Sequence, residues 1–318
     1  MINACRSYIG YSTDDQIRYK ATSGGVGTAL IKMLLDHHDV DYALSFRFND
    51  ATKQYYPVLI EHFSEYNNCA SIYHEIDMQA FYRKTLNENN RGKSIVVTTL
   101  PCQTPLVRSL AKKYGINLII IGLTCSSQQS FEATQYLLKR KSISIENIKK
   151  IQYRGNGWPS GVQLTQQDNT IVSVPNLGSI WTTIFHSRLF IPTRCFKCQD
   201  TLNSKSDVIL ADPWLKDQIL TETIGKTLFA SYTIIGEDLL NKAISKGNIE
   251  VQTISSSLLY ESQKSTILRK EGYKRYHRYR NILIKLCKNK IYKSLVLNSH
   301  ILFRMHISLK DKIESKMR

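Results

Sequence analysis

The sequence lacks the features that mark membrane-spanning and secreted proteins. No apolar run approaches the length needed to cross a bilayer, and residues 1–6 lack the basic and then apolar pattern of a signal peptide. Seven cysteines among 318 residues are too few for a secreted disulfide scaffold. We therefore expect a cytoplasmic protein whose reduced thiols are available to bind metal.

Excess positive charge is scarce in most of the chain and abundant at its end. The formal net charge is +17 at pH 7. Residues 267–318 hold 15 lysines and arginines against 3 acidic residues, whereas the other 266 residues hold 28 against 23. The body is nearly ordinary in charge, and the basicity lies in a C-terminal tail.

Apolar residues recur at helical spacing in this tail, which predicts an amphipathic helix. They are Tyr279, Ile282, Leu283, Leu286 and Cys287. The favoured interpretation is that this stripe packs on the body. The alternatives are a partner helix or an anionic membrane surface, which would place the protein at the inner face of the membrane. Arginine interleaved with tyrosine over residues 272–280 also suits RNA. We nevertheless do not expect nucleic acid binding, because the tail has no recognised nucleic-acid motif.

A strand–helix–strand unit defines the predicted fold class, which is α/β with mixed α+β character. Residues 94–99 are rich in β-branched side chains and predict a buried strand, a helix is expected over 105–114, and residues 117–122 predict a second buried strand. Gly115 is a natural helix stop. Strands joined in this way run parallel and usually lie side by side.

Other segments complete the predicted architecture. A β-hairpin is expected around Asp168-Asn169, and further strands are expected over 4–12, 41–48 and 207–210. A helix is expected over 130–140, whereas residues 50–91 are polar, rich in tyrosine and mixed in pattern. We divide the chain into three predicted regions. They are 1–92, 93–265 and 266–318, the last of which is the basic helical tail.

Four cysteines are the strongest candidates for a metal site. Cys102 and Cys125 each follow the carboxyl end of a predicted parallel strand, and such ends meet at one edge of a sheet. Cys195 and Cys198 form a Cys-x-x-Cys pair, whose spacing suits one metal ion, one cluster or a redox disulfide. Because there is no second such pair, a zinc ribbon is incomplete. The set suits an iron–sulfur cluster or zinc, and spacing alone does not choose between them. The structural alternative for single cysteines is inert packing.

A glycine-rich segment precedes a predicted helix near the start of the chain. It runs from Ala21 to Leu30, and Thr22 or Ser23 is expected to cap the helix. The glycines allow backbone amides to approach an anion, and the helix N-terminus carries partial positive charge. A phosphate, such as the pyrophosphate of a flavin dinucleotide, is therefore a reasonable ligand. The alternative is an ordinary turn.

Five motifs in register give the chain a resemblance to the beta subunit family of coenzyme F-420 hydrogenases and dehydrogenases. The resemblance spans about residues 4–243. The motifs are Thr22-Ser-Gly-Gly25, Leu100-Pro-Cys-Gln103, the strand-end Cys125, Tyr153-Arg-Gly-Asn-Gly-Trp158, and Cys195-Phe-Lys-Cys198 followed by Ala211-Asp-Pro-Trp214.

The resemblance implies an oxidoreductase with bound FAD and one 4Fe–4S cluster. It implies that Cys102, Cys125, Cys195 and Cys198 ligate the cluster as thiolates. It places a second group of residues at the flavin: Thr22, Ser23, Gly24 and Gly25 near its phosphates or ring edge, Arg154 steadying a phosphate or the ring, and Trp158 stacking. The alternatives are a solvated arginine and a core tryptophan. No catalytic base is expected among the histidines.

The chain also departs from the family pattern. A Cys-His-Gly sequence common in the family is here Cys125-Ser-Ser, and the ferredoxin-like cysteine clusters of some relatives are absent. One cluster would therefore need a redox partner protein or a diffusible electron carrier, which could be coenzyme F-420 or another hydride carrier. The resemblance further implies a role in surface polysaccharide biosynthesis, with a sugar nucleotide or lipid-linked sugar as a candidate substrate.

Two other classes of function compete with the oxidoreductase. The first is a zinc-stabilised binding module whose basic tail contacts nucleic acid or a membrane. The second is a transferase of polysaccharide assembly that has kept the fold and lost the redox centre. It predicts neither flavin nor metal, and the intact set of four cysteines argues against it.

Overall fold

The structure is a computed structural model that describes residues 6–67 and 70–317. Within these ranges the strands, in chain order, are β1 (Ser7–Ser12), β2 (Tyr42–Asn49), β3 (Gln54–Ile60), β4 (Ser94–Thr99), β5 (Asn117–Leu123), β6 (Ile148–Gln152), β7 (Gly161–Gln166), β8 (Ile171–Pro175), β9 (Val208–Ala211), β10 (Thr227–Ser231) and β11 (Ile249–Ile254).

The helices of the same ranges follow in chain order. They are α1 (Asp15–Lys20), α2 (Val26–Asp36), α3 (Met78–Thr85), α4 (Thr104–Tyr114), α5 (Glu132–Arg140), α6 (Ile180–His186), α7 (Thr193–Lys197), α8 (Lys216–Thr221), α9 (Ile234–Ser245), α10 (Ser256–Arg275), α11 (His277–Lys288), α12 (Lys290–Asn298) and α13 (His300–Ser315).

Eight of the described strands form one mixed sheet in the order β11-β1-β10-β9-β5-β4-β2-β3. The central strands β9, β5, β4 and β2 run parallel, and the flanking pairs are antiparallel. The register of β4 on β5 extends from Ser94 against Asn117 to Thr99 against Gly122. The carboxyl ends of the central strands therefore lie along one edge, where ligands bind in open α/β sheets.

Both faces of this sheet are covered because its buried strands are apolar on both sides. Val96 packs with α2 and α9 on one face. Its neighbours Ile95 and Val97 point to the opposite face and pack with α3 and α4. This alternation follows from the period of two along a strand. The α/β class with mixed character is confirmed.

A smaller sheet lies in a second apolar cluster. Strands β6, β7 and β8 form an antiparallel sheet that includes the predicted hairpin. Their buried side chains pack with α5, α6 and the tail helices, where Leu283, Cys287 and Phe303 are buried. The favoured interpretation of the tail, that its stripe packs on the body, is thus confirmed for Leu283 and Cys287. Ile282 of the same stripe is 44% exposed.

The predicted boundaries can be compared with the observed elements. The opening strand begins at Ser7, and residues 4 and 5 of the predicted strand lie outside the described residues. Residues 50–91, which gave no clear pattern, contain β3 and α3. The three predicted regions stay a prediction, and strands from the first two share one sheet. In the described part of the chain, no helix combines the length and apolarity needed to cross a bilayer.

Candidate cofactor site

Three neighbouring parallel strands end at one edge of the large sheet, and the residues that follow them lie at that edge. Cys102 follows β4, Cys125 follows β5, and Asp212 follows β9 directly. Because β4 pairs with β5 and β5 pairs with β9 in parallel, these three positions are held by continuous backbone hydrogen bonding. The predicted convergence of the first two cysteines thus has its structural cause in the strand–helix–strand unit.

The loop after the Cys-x-x-Cys pair is tied to both cysteine-bearing strand ends. The Asn203 side-chain amide donates to the Thr99 carbonyl at 2.8 Å, and the Thr104 hydroxyl donates to the Asn203 side-chain oxygen at 2.7 Å. The Cys125 backbone N–H donates to the Thr201 carbonyl at 3.0 Å. The two Asn203 bonds are buried and join residues about a hundred positions apart in sequence, and together with the Cys125 bond they hold this loop beside the sheet edge.

The four thiols lie within electrostatic range of one another. Burial, and then the charges of Cys198 and Cys195, raise the pKa of the Cys102 thiol. Burial raises the pKa of the Cys125 thiol to about 12; Lys270 opposes this shift, and the other three thiols add to it. Four thiols that disfavour one another's ionisation require positive charge to be deprotonated together.

A buried lysine supplies part of that charge. Lys270 on α10 is 2% exposed, and its ammonium donates to the carbonyls of Cys125 at 2.8 Å and Asp200 at 2.6 Å. Its Nζ also lies 3.5 Å from the Sγ of Cys198. The lysine therefore links two of the cysteine segments and places a cation beside a thiol.

The distances among the four cysteine thiols bear on whether a zinc ion or an iron–sulfur cluster fits them. Among the described residues, no three histidine, cysteine, aspartate or glutamate side chains are close enough to hold one metal ion. A tetrahedral zinc with Zn–S bonds near 2.3 Å would need its thiolates roughly 3.8 Å apart. A four-iron cluster binds each thiolate through a different iron and accommodates a wider set. Four interacting thiols match the ligand number of either group.

A cavity of about 480 Å³ is bordered by the start of α2 and by one of the four cysteines. Its lining includes Gly25, Val26, Gly27 and Thr28, and also Cys125. Its size is that of a pocket for a small molecule or cofactor. A ligand that fills this cavity would contact both the helix N-terminus and one of the four thiols.

The start of α2 is not capped by the residues that the sequence predicted. Gly25, in the left-handed conformation at φ 77°, is the N-cap residue, and no side chain caps the helix. The Thr22 hydroxyl instead bonds Ser71, and the Ser23 hydroxyl bonds Thr227 at 2.9 Å. The expected capping role of Thr22 and Ser23 is wrong, because Ser71 and Thr227 bind both hydroxyls. The first amides of α2 are consequently available to an anion in the cavity.

Gly24 and Gly25 are required by close packing. A Cβ at Gly24 would lie 2.6 Å from the Gly10 carbonyl oxygen and 2.8 Å from the Thr227 nitrogen. At Gly25 a Cβ would lie 3.0 Å from the Ile17 carbonyl oxygen. These two glycines hold the turn against β1, β10 and α1, and so position the start of α2.

Arg154 lies behind the cavity wall. It is 1% exposed, and its guanidinium donates to Asp212 at 2.9 Å, to the Tyr73 hydroxyl at 3.1 Å and to the Thr22 carbonyl at 3.0 Å. Burial alone would lower its pKa, but Asp212 and Tyr73 hold the pKa of Arg154 above its usual value. The arginine is neither solvated nor a lining residue, and it joins the glycine-rich turn to the end of β9.

Trp158 is likewise a buried residue that does not line the cavity. Its ring is 4% exposed and packs on Trp214 with ring centroids 5.3 Å apart. Trp214 is the one of this pair that lines the cavity. Direct contact of Arg154 or Trp158 with a flavin stays a prediction. In the structure, both residues lie behind the cavity wall and support it.

Several residues of the site gave no clear signal in the sequence. Lys270 lies in the tail, where its charge looked like part of a solvated surface. Trp214 could have been found, because it closes the Ala211-Asp-Pro-Trp214 motif.

His186 also lines the cavity. Desolvation by the surrounding protein, together with Arg188 and other cations, lowers the pKa of His186 to about 4, so its imidazole is neutral at pH 7.

Comparison with models of known protein families identifies the family to which the chain belongs. The family model described as coenzyme F420 hydrogenase/dehydrogenase, beta subunit N-term, matches residues 7–79, and the corresponding C-terminus model matches residues 92–257. The chain therefore belongs to the beta subunit family of coenzyme F420 hydrogenases and dehydrogenases, which is a family of oxidoreductases. The resemblance predicted from the motifs is confirmed.

Two relatives are similar over different extents. The F420-dependent formate dehydrogenase subunit beta of Methanocaldococcus jannaschii is 32% identical over 117 residues, which span 36% of this chain and 30% of the relative. A solved chain of the F420-reducing NiFe hydrogenase complex from Methanosarcina barkeri has a TM-score of 0.63 at 18% identity. That match covers 83% of this chain and 89% of the solved chain, and it shows a shared fold.

Proposed function

We propose that this chain is a flavin- and iron–sulfur-binding subunit that transfers electrons or hydride between a reduced carrier and an acceptor. The observation that carries the proposal is the extent of the cavity. It is lined both by the uncapped start of α2 and by Cys125, whose thiol belongs to the set of four. A flavin in this cavity and a cluster on the thiols would be direct neighbours, as electron transfer requires.

Different residues of the chain would bind the flavin and the cluster. The amides at the start of α2 would bind the FAD pyrophosphate, and Gly24 and Gly25 place that helix end. Cys102, Cys125, Cys195 and Cys198 would hold a 4Fe–4S cluster. When bound, the two groups supply hydride chemistry and single-electron chemistry. Lys270 holds positive charge at the cluster end, and Trp214 forms part of the cavity wall.

The carrier and the acceptor follow from the relatives. One is a subunit of an F420-dependent formate dehydrogenase, and the other belongs to an F420-reducing hydrogenase complex. We infer that a deazaflavin such as coenzyme F420 is the hydride carrier and that a partner protein exchanges single electrons with the cluster. A role in surface polysaccharide biosynthesis and a cytoplasmic location stay predictions from the sequence.

The experiment is a cofactor analysis of protein purified without oxygen. Flavin, iron, sulfide and zinc are quantified per chain, and the absorption spectrum is recorded. We expect flavin bands with about four irons and four sulfides per chain. The double variant Cys195→Ala/Cys198→Ala is expected to lose the iron. Oxidation of reduced coenzyme F420 by the loaded protein, followed by its absorbance, tests the carrier.

The matched control is Cys287→Ala. Cys287 is fully buried in the core cluster of the tail and is not one of the four candidate ligands, so its loss should cost packing and leave the iron in place. A colourless protein with one zinc per chain would overturn the redox proposal in favour of the binding module. Protein with neither flavin nor metal after anaerobic purification would favour the transferase.

A further inference from the structure

Helices α12 and α13 expose an apolar surface that the fold does not use. The α12–α13 patch consists of Ile291, Leu295, Ile301, Met305 and Leu309. The first four are 75%, 58%, 72% and 60% exposed. Single exposed apolar residues are ordinary, but five of them on two consecutive helices that contact each other form a candidate interaction surface.

The two faces of α13 have separate roles. Phe303, His306 and Ile313 are buried, and the first and last of these lie in the core cluster that joins the tail to the body. Residues 301, 305 and 309 recur every four positions and lie on the exposed side of the helix. Packing of the tail is therefore complete without the patch, which is left over for an external partner.

The exposed charges around the patch are predominantly positive. Within residues 277–317 the exposed cations are Arg278, Lys285, Lys288, Lys290, Arg304, Lys312 and Lys316. Two carboxylates occur in that range. Glu314 is buried against Arg188 at 2.9 Å, and Asp311 pairs with Lys310 at 2.5 Å. The partner must therefore be both apolar and anionic.

We propose that the α12–α13 patch docks on the surface of an anionic lipid bilayer. The five apolar side chains would enter the boundary between headgroups and acyl chains, while Arg304, Lys312 and their neighbours bind lipid phosphates. The helices lie on the bilayer, since none of the described helices can cross it. This inference is independent of the proposed redox chemistry.

The residue types of the α12–α13 patch favour an anionic bilayer over a nucleic acid or an acidic protein. Single-stranded nucleic acids are bound by exposed aromatic rings, whereas the large apolar residues exposed in 277–317 are aliphatic or methionine. An acidic protein would need carboxylates matched to seven dispersed cations. An anionic bilayer needs no such match, because its surface is negative throughout, and it accepts aliphatic side chains at the same time.

The test is co-sedimentation of the full chain with phosphatidylcholine vesicles that contain or lack phosphatidylglycerol. We expect binding to the anionic vesicles alone, weakened by salt. The variant Ile301→Ser/Met305→Ser is expected to lower the affinity about tenfold or more, and Arg304→Gln/Lys312→Gln to abolish the preference for anionic lipid. The control is Leu220→Ser/Ile234→Ser, two body residues that are 73% and 78% exposed.

The outcomes decide between the partners. No binding to anionic vesicles, or equal loss in the patch variant and the control, would overturn the proposal. A dimer in sedimentation velocity that the patch variant dissociates, without vesicle binding, would replace it with self-association. If Ile301→Ser/Met305→Ser proves unstable by circular dichroism, Leu295→Ser on α12 provides the same comparison.

Discussion

The ammonium of Lys270 lies 3.5 Å from the Sγ of Cys198 and is inaccessible to solvent. Two carbonyl acceptors, at Cys125 and Asp200, hold it there. A buried charge is costly unless it has such partners, so its position is specific. It brings the C-terminal part of the chain into the chemistry of the four cysteines.

Replacement of Lys270 by Gln should lower the reduction potential of the bound cluster. Removal of the cation destabilises the reduced form, which carries one more negative charge. A charge-assisted hydrogen bond of about 1.5 kcal/mol corresponds to roughly 60 mV for one electron. A redox titration followed by electron paramagnetic resonance measures the shift. Lys264→Gln, half exposed on the same helix, should leave the potential unchanged; equal potentials in all three proteins would contradict the role of Lys270.

Replacement of Asp212 by Asn should destabilise the fold and weaken flavin retention. The change leaves Arg154 buried without its carboxylate, a situation that costs about 3 kcal/mol. Urea unfolding followed by fluorescence measures the first effect, and flavin content after gel filtration measures the second. The exposed pair of Arg91 and Glu88 provides the control, since Glu88→Gln should change neither quantity. Unchanged flavin content in Asp212→Asn would show that the Arg154–Asp212 ion pair does not support the cavity.

Replacement of Gly24 by Ala should displace the start of α2. The new methyl group would meet two backbone atoms, which cannot move aside as a flexible side chain can. We expect a loss of about 2 kcal/mol in stability together with weaker flavin binding. Gly178→Ala is the comparison, because Gly178 has φ 65° and open space around its Cβ position, so only backbone strain is added. Flavin affinity that falls equally in both variants would argue against a specific role of the turn.

Attachment of the tail should weaken at acid pH, because Glu314 then becomes protonated. Burial alone would raise its pKa, but Arg188, Lys310 and the Tyr273 hydroxyl hold the pKa of Glu314 at about 2, below its usual 4.5. Because the folded pKa is the lower one, this stabilisation is present above pH 4.5 and is lost as the pH falls towards 2. The shift corresponds to about 3 kcal/mol.

Urea unfolding between pH 6 and pH 3 measures this dependence. Stability of the native protein should fall over the lower part of that range, beyond the loss common to other carboxylates. Glu314→Gln should be less stable at pH 6 and should show a smaller fall towards pH 3. Identical slopes for the two proteins would contradict a depressed pKa at Glu314.

The local sequence pattern was sufficient for the central part of the fold. β4 matches the predicted strand, and α4 and β5 each differ from prediction by one residue, because β-branched runs and a glycine stop act locally. β3 was not predicted. It contains Pro57, which is tolerated because β3 lies at the edge of the sheet and pairs with β2 alone.

The candidate site was predictable where the topology dictates it. Parallel strand ends bring Cys102 and Cys125 to one edge, and this follows from the strand–helix–strand unit. The position of Lys270 does not follow, because it depends on a contact between α10 and the loop after Cys198, 72 residues away. The roles of Thr22 and Ser23 were missed for the same reason, since their hydroxyls bond Ser71 and Thr227 rather than the adjacent helix.

An anaerobic reductive titration of the purified chain tests the central claim most directly. The account predicts an uptake of about three electrons per chain, two at a flavin and one at a cluster. The Cys195→Ala/Cys198→Ala variant should take up about two, and Cys287→Ala about three. A native chain that takes up no electrons and contains zinc would contradict the account.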